Sequence, residues 1–230
     1  MNGELVRAFA DMPVCAAKRD VLARYAQLLL QRNAAVNLTA ARDAEAVALH
    51  VRDSLRIARF VREPFVDVGS GGGFPAIPLA IATGAHATLI EAVGKKAAFL
   101  RQLATELQLP VAVVQARAED AGRRPDLRGA FGSATARAVG STSTVLELTV
   151  PLLAIGGIAV LQRGQLDARE RAAATDAALM LQAELIDEAI DENSGGRRVL
   201  VFRKVGPTAQ RFPRRAGVPA KRPLCAESTP

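Results

Sequence analysis

The stretch "DVGSGGGFPAIPLA", residues 67–80, places four glycines in five positions between the apolar Phe65-Val66 and a Pro-led apolar segment. A strand, a glycine-rich turn and a helix start together form the nucleotide-binding corner of a doubly wound sheet. Glycines let a ligand approach the backbone, and the first helical turn offers unpaired N–H groups. Two familiar patterns do not fit. The dinucleotide pattern GxGxxG, counted from Gly69, needs glycine where Phe74 stands, and no Lys-Ser/Thr pair follows the loop to cradle phosphates. Asp67, two residues before the first glycine, is joined further along the chain by Glu91, by Glu119-Asp120, and by Arg137 and Arg163. Taken singly, each has a plain alternative: a glycine turn that binds nothing, or a charged side chain solvated at a loop tip. Recurrence at successive strand ends is what points to a ligand.

The elements that must position these residues begin at Phe65. "FVDVG" reads as a strand, "AIPLAIAT" as a helix, "ATLIEA" as a strand, "KKAAFLRQLATELQ" as a helix and "VAVVQA" as a third strand. A weak fourth strand lies in "GAFGSATARA", followed by a helix over 142–154, a fifth strand "GGIAVLQR" and a helix "ARERAAATDAALMLQ". "AELIDEAI" and "RRVLVFRKV", separated by "DENSGGR", read as an antiparallel pair at the sheet's edge. This alternation predicts an α/β fold, a mostly parallel sheet with helices on both faces. Two helices precede it. One over 17–31 aligns Val21, Leu22, Tyr25, Leu28 and Leu29 on one face, and one capped by Asp43 runs to about residue 62. The expected organisation is a helical part over 1–62, a ligand-binding domain over 63–205 and a basic tail over 206–230. Five prolines in the tail predict order only where it docks.

Half of the 230 residues are hydrophobic and 23% are charged, the balance of an ordinary globular protein. No apolar run approaches the ~18 residues of a membrane span. Glu4 and Asp11 interrupt the N-terminus, so no signal peptide is read and a cytoplasmic location is expected. Cys15 and Cys225 stand at opposite ends with no CxxC, so no metal site is expected and both read as inert thiols. The net charge of +7 is uneven. Residues 1–62 hold ten Lys/Arg against six Asp/Glu, 63–196 hold eleven against sixteen, and 197–230 hold nine against one. Basic ends around an acidic middle suit contact with a polyanion, although a solvated tail that binds nothing has the same composition.

The pattern Asp-x-Gly-x-Gly-x-Gly resembles the first motif of class I S-adenosylmethionine-dependent methyltransferases. In that class an acid at the end of the second strand, here Glu91, binds the ribose, and a polar group after the third strand, here Glu119 or Asp120, lies near the adenine. A more specific resemblance follows from "NLTAARD", "HVRDSL", "DVGSGGGFPAIPLAI", "GKKAAFLRQL", "ARAED" and "ARAV", in this order between about Tyr25 and Lys204. Together they resemble the RsmG (GidB) methyltransferases, which methylate guanine N7 in the decoding-region loop of bacterial 16S ribosomal RNA. The resemblance implies a Rossmann-like, doubly wound, mostly parallel sheet with an antiparallel edge strand and a small helical part ahead of it. It implies S-adenosyl-L-methionine as cofactor, held by Asp67, Gly69, Gly71, Gly73, Phe74, Glu91, Ala118, Glu119 and Arg137, with Arg137 also bordering the target base. It further implies 16S rRNA or the small ribosomal subunit as partner, no membrane, and a monomer. The sequence departs from the family where Lys-Gly is replaced by Arg163-Gly164, Ser-Arg-Ala by Ala136-Arg137-Ala138, and a His before the last strand by Arg198.

The chemistry is compatible. There is no Pro-Pro loop to hold an exocyclic amine, and both cysteines lie outside every strand end, away from where a carbon-5 enzyme needs a nucleophile. Guanine N7 has an in-plane lone pair and no proton to lose, so positioning can suffice. RNA contacts are expected from Lys95, Lys96 and Arg101 on the second helix of the sheet region, from Arg163 and Arg198, and from Arg211, Arg214 and Arg215 in the tail. His50 and Asp53, three apart on a helix, share a face where they could hydrogen-bond each other, and are expected to dock the helical part onto the sheet. A nicotinamide-dependent oxidoreductase and a non-catalytic RNA-binding module on the same fold are the competing readings.

Overall fold

The computed structural model describes residues 3–137, 139–191 and 197–225. Ala138, the link 192–196 between the last two strands, and the chain ends 1–2 and 226–230 lie outside the described residues. Three helices come first: α1 (Gly3–Phe9), α2 (Ala16–Val36) and α3 (Ala44–Leu55). Then follow β1 (Phe65–Val68), α4 (Ala76–Thr83), β2 (Ala87–Ile90), α5 (Gly94–Glu106), β3 (Val111–Val114) and a four-residue α6 (Ala118–Ala121). The second half contains β4 (Phe131–Ala136), α7 (Thr142–Thr149), β5 (Leu153–Arg163), α8 (Ala168–Met180), β6 (Ala183–Asp191), β7 (Arg197–Lys204) and α9 (Val218–Lys221).

The seven strands lie in the order β3-β2-β1-β4-β5-β7-β6. Neighbours from β3 across to β5 are parallel, while β7 runs antiparallel to both β5 and β6. The single antiparallel strand is thus the last but one, and β6 forms the margin. The strand order reverses at β1, which has β2 on one side and β4 on the other. Ligands of doubly wound sheets bind in the crevice beyond the carboxyl ends of the strands at such a switch point.

Several boundaries differ from the sequence reading, for local reasons. The helix capped by Asp43 stops at Leu55 and passes into a 3-10 turn, Ala58–Phe60. The helix expected to reach residue 154 ends at Thr149, and after a 3-10 turn over Val150–Leu152 strand β5 begins, because Pro151 has no N–H to continue the helix. The strands β1, β2 and β3 are four residues each, so Gly69, Glu91 and Gln115 fall in the loops beyond them. Helix α2 runs five residues past its expected end and stops at Asn37, whose φ of 55° is left-handed.

Apolar clusters cover both faces of the sheet. One joins Leu22, Tyr25, Leu29 and Val47 of the N-terminal helices to Ile77 and Leu100. The other packs Val145, Leu146 and Ala177 against Leu161 and Phe202, and takes in Phe212 and Leu224 from the tail. The N-terminal helices therefore share a core with the sheet, close to the loop that follows β1.

Candidate active site

The loop after β1 needs its glycines. Gly69 and Gly73 have φ of 74° and 100°, and a Cβ would lie 2.8 Å from Val139 Cγ2 at the first and 2.6 Å from Ile77 Cγ1 at the second. Glu91 holds the loop from the side: its Oε2 accepts from Gly71 N at 2.8 Å and its Oε1 from Val93 N at 2.7 Å. From the helical part, the buried Tyr25 hydroxyl donates to Gly72 O at 2.9 Å. The loop is thereby fixed before any ligand arrives.

Asp67 lies beneath the loop, fully buried. Its Oδ1 accepts from Thr135 Oγ1 at 2.7 Å, and its Oδ2 has no partner among the described residues. Burial pushes this carboxyl up to about 7, against the opposing effect of the Thr135 and Ser70 hydroxyls and of Arg137. An unpaired buried carboxylate oxygen beside an open backbone turn is suited to receive a cationic group.

Arg137, just beyond β4, reaches across the mouth of the site. Its guanidinium carbon sits 4.8 Å from the centroid of the Phe74 ring, and Nη1 lies 3.4 Å from Asp53 Oδ2. Arg197 approaches the same carboxylate oxygen at 3.5 Å. Phe74 is also packed by Tyr25 and His50, with ring centroids 5.5 and 5.3 Å away. Burial, reinforced by Arg137, holds the His50 imidazole below its ordinary range and so favours its neutral form. Asp53 does not serve His50 as a hydrogen-bond partner. It turns to the two arginines, and its carbonyl accepts from Gln162 Nε2 at 2.7 Å. Helix α3 is docked on the sheet through Asp53 rather than through a His50–Asp53 pair.

Two cavities meet at Gly69. The larger, about 510 Å³, is walled by Gly69 to Gly72, Phe74, His50, Asp53 and Arg137, and by Lys96, Gln162, Arg163, Arg197 and Arg198. The smaller, about 310 Å³, is lined by Ile90, Glu91, Ala118, Glu119, Val139 and Ala220. An elongated ligand could lie across the glycine loop with one end in each. Glu119 is buried beside the smaller one, and its Oε1 accepts from Gly217 N, in the tail, at 2.7 Å.

The basic residues divide. Lys96, Arg163 and Arg198 line the larger cavity, whereas Lys95 and Arg101 are exposed on α5. Arg163 also pairs with Glu170 at 2.9 Å and donates to Gly140 O at 2.6 Å, and Arg198 pairs with Glu188 at 2.6 Å. Arg211 and Arg215 are exposed. Arg214 faces inward: its guanidinium holds both oxygens of the fully buried Glu147, at 2.6 to 3.1 Å. The tail, expected to be ordered only where it docks, is packed on the body over its described residues, with Phe212 and Leu224 buried in the core.

Sequence reasoning missed Asn33. Its side chain accepts from Leu38 N and Thr39 N and donates to Thr39 O and Ala41 O, all within 2.7 to 3.0 Å, which shapes the loop that walls the larger cavity. The signal was an amide inside a helical run, close before "NLTAARD". Gln162, Arg56 and Arg197 were also missed; Arg197 stands next to a residue that was singled out.

Comparison with known proteins bears on this arrangement. The family described as rRNA small subunit methyltransferase G matches residues 18–200. Proteins named Ribosomal RNA small subunit methyltransferase G from Roseiflexus sp. and Roseiflexus castenholzii are 42% and 41% identical. The first alignment covers 89% of this chain and 91% of the relative, the second 96% and 99%. Among solved structures, an O-methyltransferase from Bacillus cereus in complex with SAH has the same fold, with a TM-score of 0.57 at 17% identity, over 79% of this chain and 91% of that one. M. jannaschii TYW2 in complex with AdoMet aligns with a TM-score of 0.52 at 20% identity, over 68% and 76%. No helix among the described residues is long and apolar enough to cross a membrane. The extent of these matches settles the family: this chain belongs to the rRNA small subunit methyltransferase G family.

Proposed function

We propose that this chain is an S-adenosyl-L-methionine-dependent methyltransferase of small-subunit ribosomal RNA that places a methyl group on N7 of a guanine in the decoding-region loop of 16S rRNA. The observation that carries this reading is the glycine loop standing between two cavities, with the unpaired Asp67 Oδ2 buried beneath it. That oxygen and the loop suit the ammonium end of the cofactor. Glu91, Ala118 and Glu119 line the smaller cavity together, which supports Glu91 as acceptor of the ribose hydroxyls and the other two as neighbours of the adenine. Bound there, the cofactor supplies an electrophilic sulfonium methyl.

The remaining work falls to positioning. Guanine N7 needs no proton removed, so the neutral His50 has no base role to fill. Phe74 and Arg137 stand where an extruded guanine would enter, and holding nucleophile and methyl in line at about 3 to 3.5 Å is worth several kcal/mol. Asp53 lines the same cavity and faces the positive charge that the guanine ring acquires. Lys96, Arg163 and Arg198, with the exposed Lys95, Arg101, Arg211 and Arg215, supply charge for the RNA backbone. A ribosomal substrate suits the cytoplasm.

Calorimetric titration tests the reading. Saturable binding of S-adenosylmethionine and S-adenosylhomocysteine, with none of a nicotinamide dinucleotide, is expected. No binding of either sulfur compound would overturn it in favour of a non-catalytic RNA-binding module.

A further inference from the structure

The segment from Gly206 to Cys225 lies beyond the residues that the family comparison matches, 18–200, yet it is built into the molecule. Arg128 donates to the carbonyls of Phe212 at 2.7 Å and Thr208 at 2.8 Å, while Phe212 and Leu224 are buried in the core. Arg214 gives the buried Glu147 both its guanidinium and its main-chain N–H, the latter at 2.7 Å. A carboxylate with no exposure needs such partners, so this pair anchors the tail on helix α7.

From the anchor the chain turns at Gly217, whose φ of 81° is left-handed. The turn delivers Gly217 N–H to Glu119 Oε1 at 2.7 Å, and two residues on the Pro219 carbonyl accepts from Thr144 Oγ1 at 3.0 Å. Ala220 then enters the wall of the 310 Å³ cavity, together with Glu91, Ala118 and Glu119. Two consequences follow from this placement. The Gly217 amide occupies one oxygen of Glu119 and fixes the direction of the other. The methyl side chain at residue 220 sets how much room the compartment leaves.

We propose that residues Gly217 to Ala220 are the tail's contribution to the adenine compartment, with Gly217 positioning Glu119 and Ala220 limiting the group admitted. This rests on the reading of the two cavities as one cofactor site. A ligand that touches the docked tail binds that state preferentially, so cofactor binding and tail docking strengthen one another.

The test uses the full chain with Ala220→Phe, an exposed position where the fold tolerates a larger side chain. S-adenosylhomocysteine should bind about ten-fold more weakly or worse, and 5′-methylthioadenosine, which keeps only the adenine end, should lose affinity by the same factor. The melting temperature without cofactor should stay put, and KM should rise for the cofactor but not for rRNA. In the unaltered chain, saturating S-adenosylhomocysteine should slow tryptic cleavage at the exposed Arg215 and Lys221 by about five-fold or more. Affinity within about two-fold in the variant, or an unchanged cleavage rate, would overturn the inference alone. Failure of the unaltered chain to bind either compound would overturn the cofactor site as well.

Discussion

Arg137 stands over Phe74 with its guanidinium carbon 4.8 Å from the ring centroid, so the end of β4 and the glycine loop share one contact at the mouth of the larger cavity. The same guanidinium reaches Asp53 on α3, which ties the helical part, the loop and the sheet together. A partly desolvated contact of this kind is worth about 1 to 2 kcal/mol, and its larger effect is geometric. Arg137→Ala should therefore lower kcat/KM for methyl transfer by about 100-fold, as expected for misplaced reactants. Arg137→Lys should recover little of this, because a point charge cannot both lie on the ring and reach Asp53. Steady-state kinetics on rRNA check both.

Asp67 makes stability and cofactor affinity depend on pH in opposite directions. Its folded-state pKa of about 7 lies above the ordinary carboxylate value of 3.8, because burial disfavours the charge. The folded chain thus keeps a proton that the unfolded chain has lost. This contribution to stability is complete below about pH 4 and is lost as pH rises through about 7, with a slope of up to about 1.4 kcal/mol per pH unit. The ionised form is the one that receives an ammonium group, so cofactor affinity should rise over the same interval. Asp67→Asn should flatten both profiles in denaturant titrations and calorimetry between about pH 5 and about pH 8, a range that brackets the folded-state value.

Removing one oxygen should loosen the loop. Tyr25→Phe leaves Gly72 O without its buried donor, at a cost of about 1 to 3 kcal/mol in unfolding free energy. KM for the cofactor should increase with it, while KM for rRNA stays unchanged. Chemical denaturation and kinetics separate the two effects.

The tail arginines should fall into two classes. Arg214→Ala strands the buried Glu147 carboxylate and should cost about 3 to 5 kcal/mol of stability. Arg211→Ala and Arg215→Ala should change stability by less than about 0.5 kcal/mol. Each should instead reduce the salt dependence of RNA binding, lowering the slope of log K against log salt by about 0.7 to 0.9. Binding measured over a salt series distinguishes these outcomes.

These contrasts show what the sequence made legible. Alternating β-branched runs and amphipathic segments announced the parallel sheet, since burial on both faces leaves a mark on every strand. The glycine loop was legible for the same kind of reason: backbone with positive φ restricts residue type at Gly69, Gly71 and Gly73. Partners brought together by folding were not. Asp53 looked like a partner for His50 three residues away, but Arg137 and Arg197 arrive from strands far along the chain. Arg214 looked like one more basic residue in a tail, because nothing near it in sequence reveals Glu147, 67 positions earlier. Asn33 was overlooked because its four bonds go to backbone, which leaves only an amide inside a helical run to mark it.

The most direct test of the central claim is methyl transfer from isotopically labelled S-adenosylmethionine to 16S rRNA lacking the modification, followed by borohydride and aniline treatment, which breaks the RNA at 7-methylguanosine. Label in the RNA and one enzyme-dependent scission in the decoding-region loop are expected, both lost with Arg137→Ala. Label that stays on the protein, or enters the RNA without creating that scission, would contradict the claim.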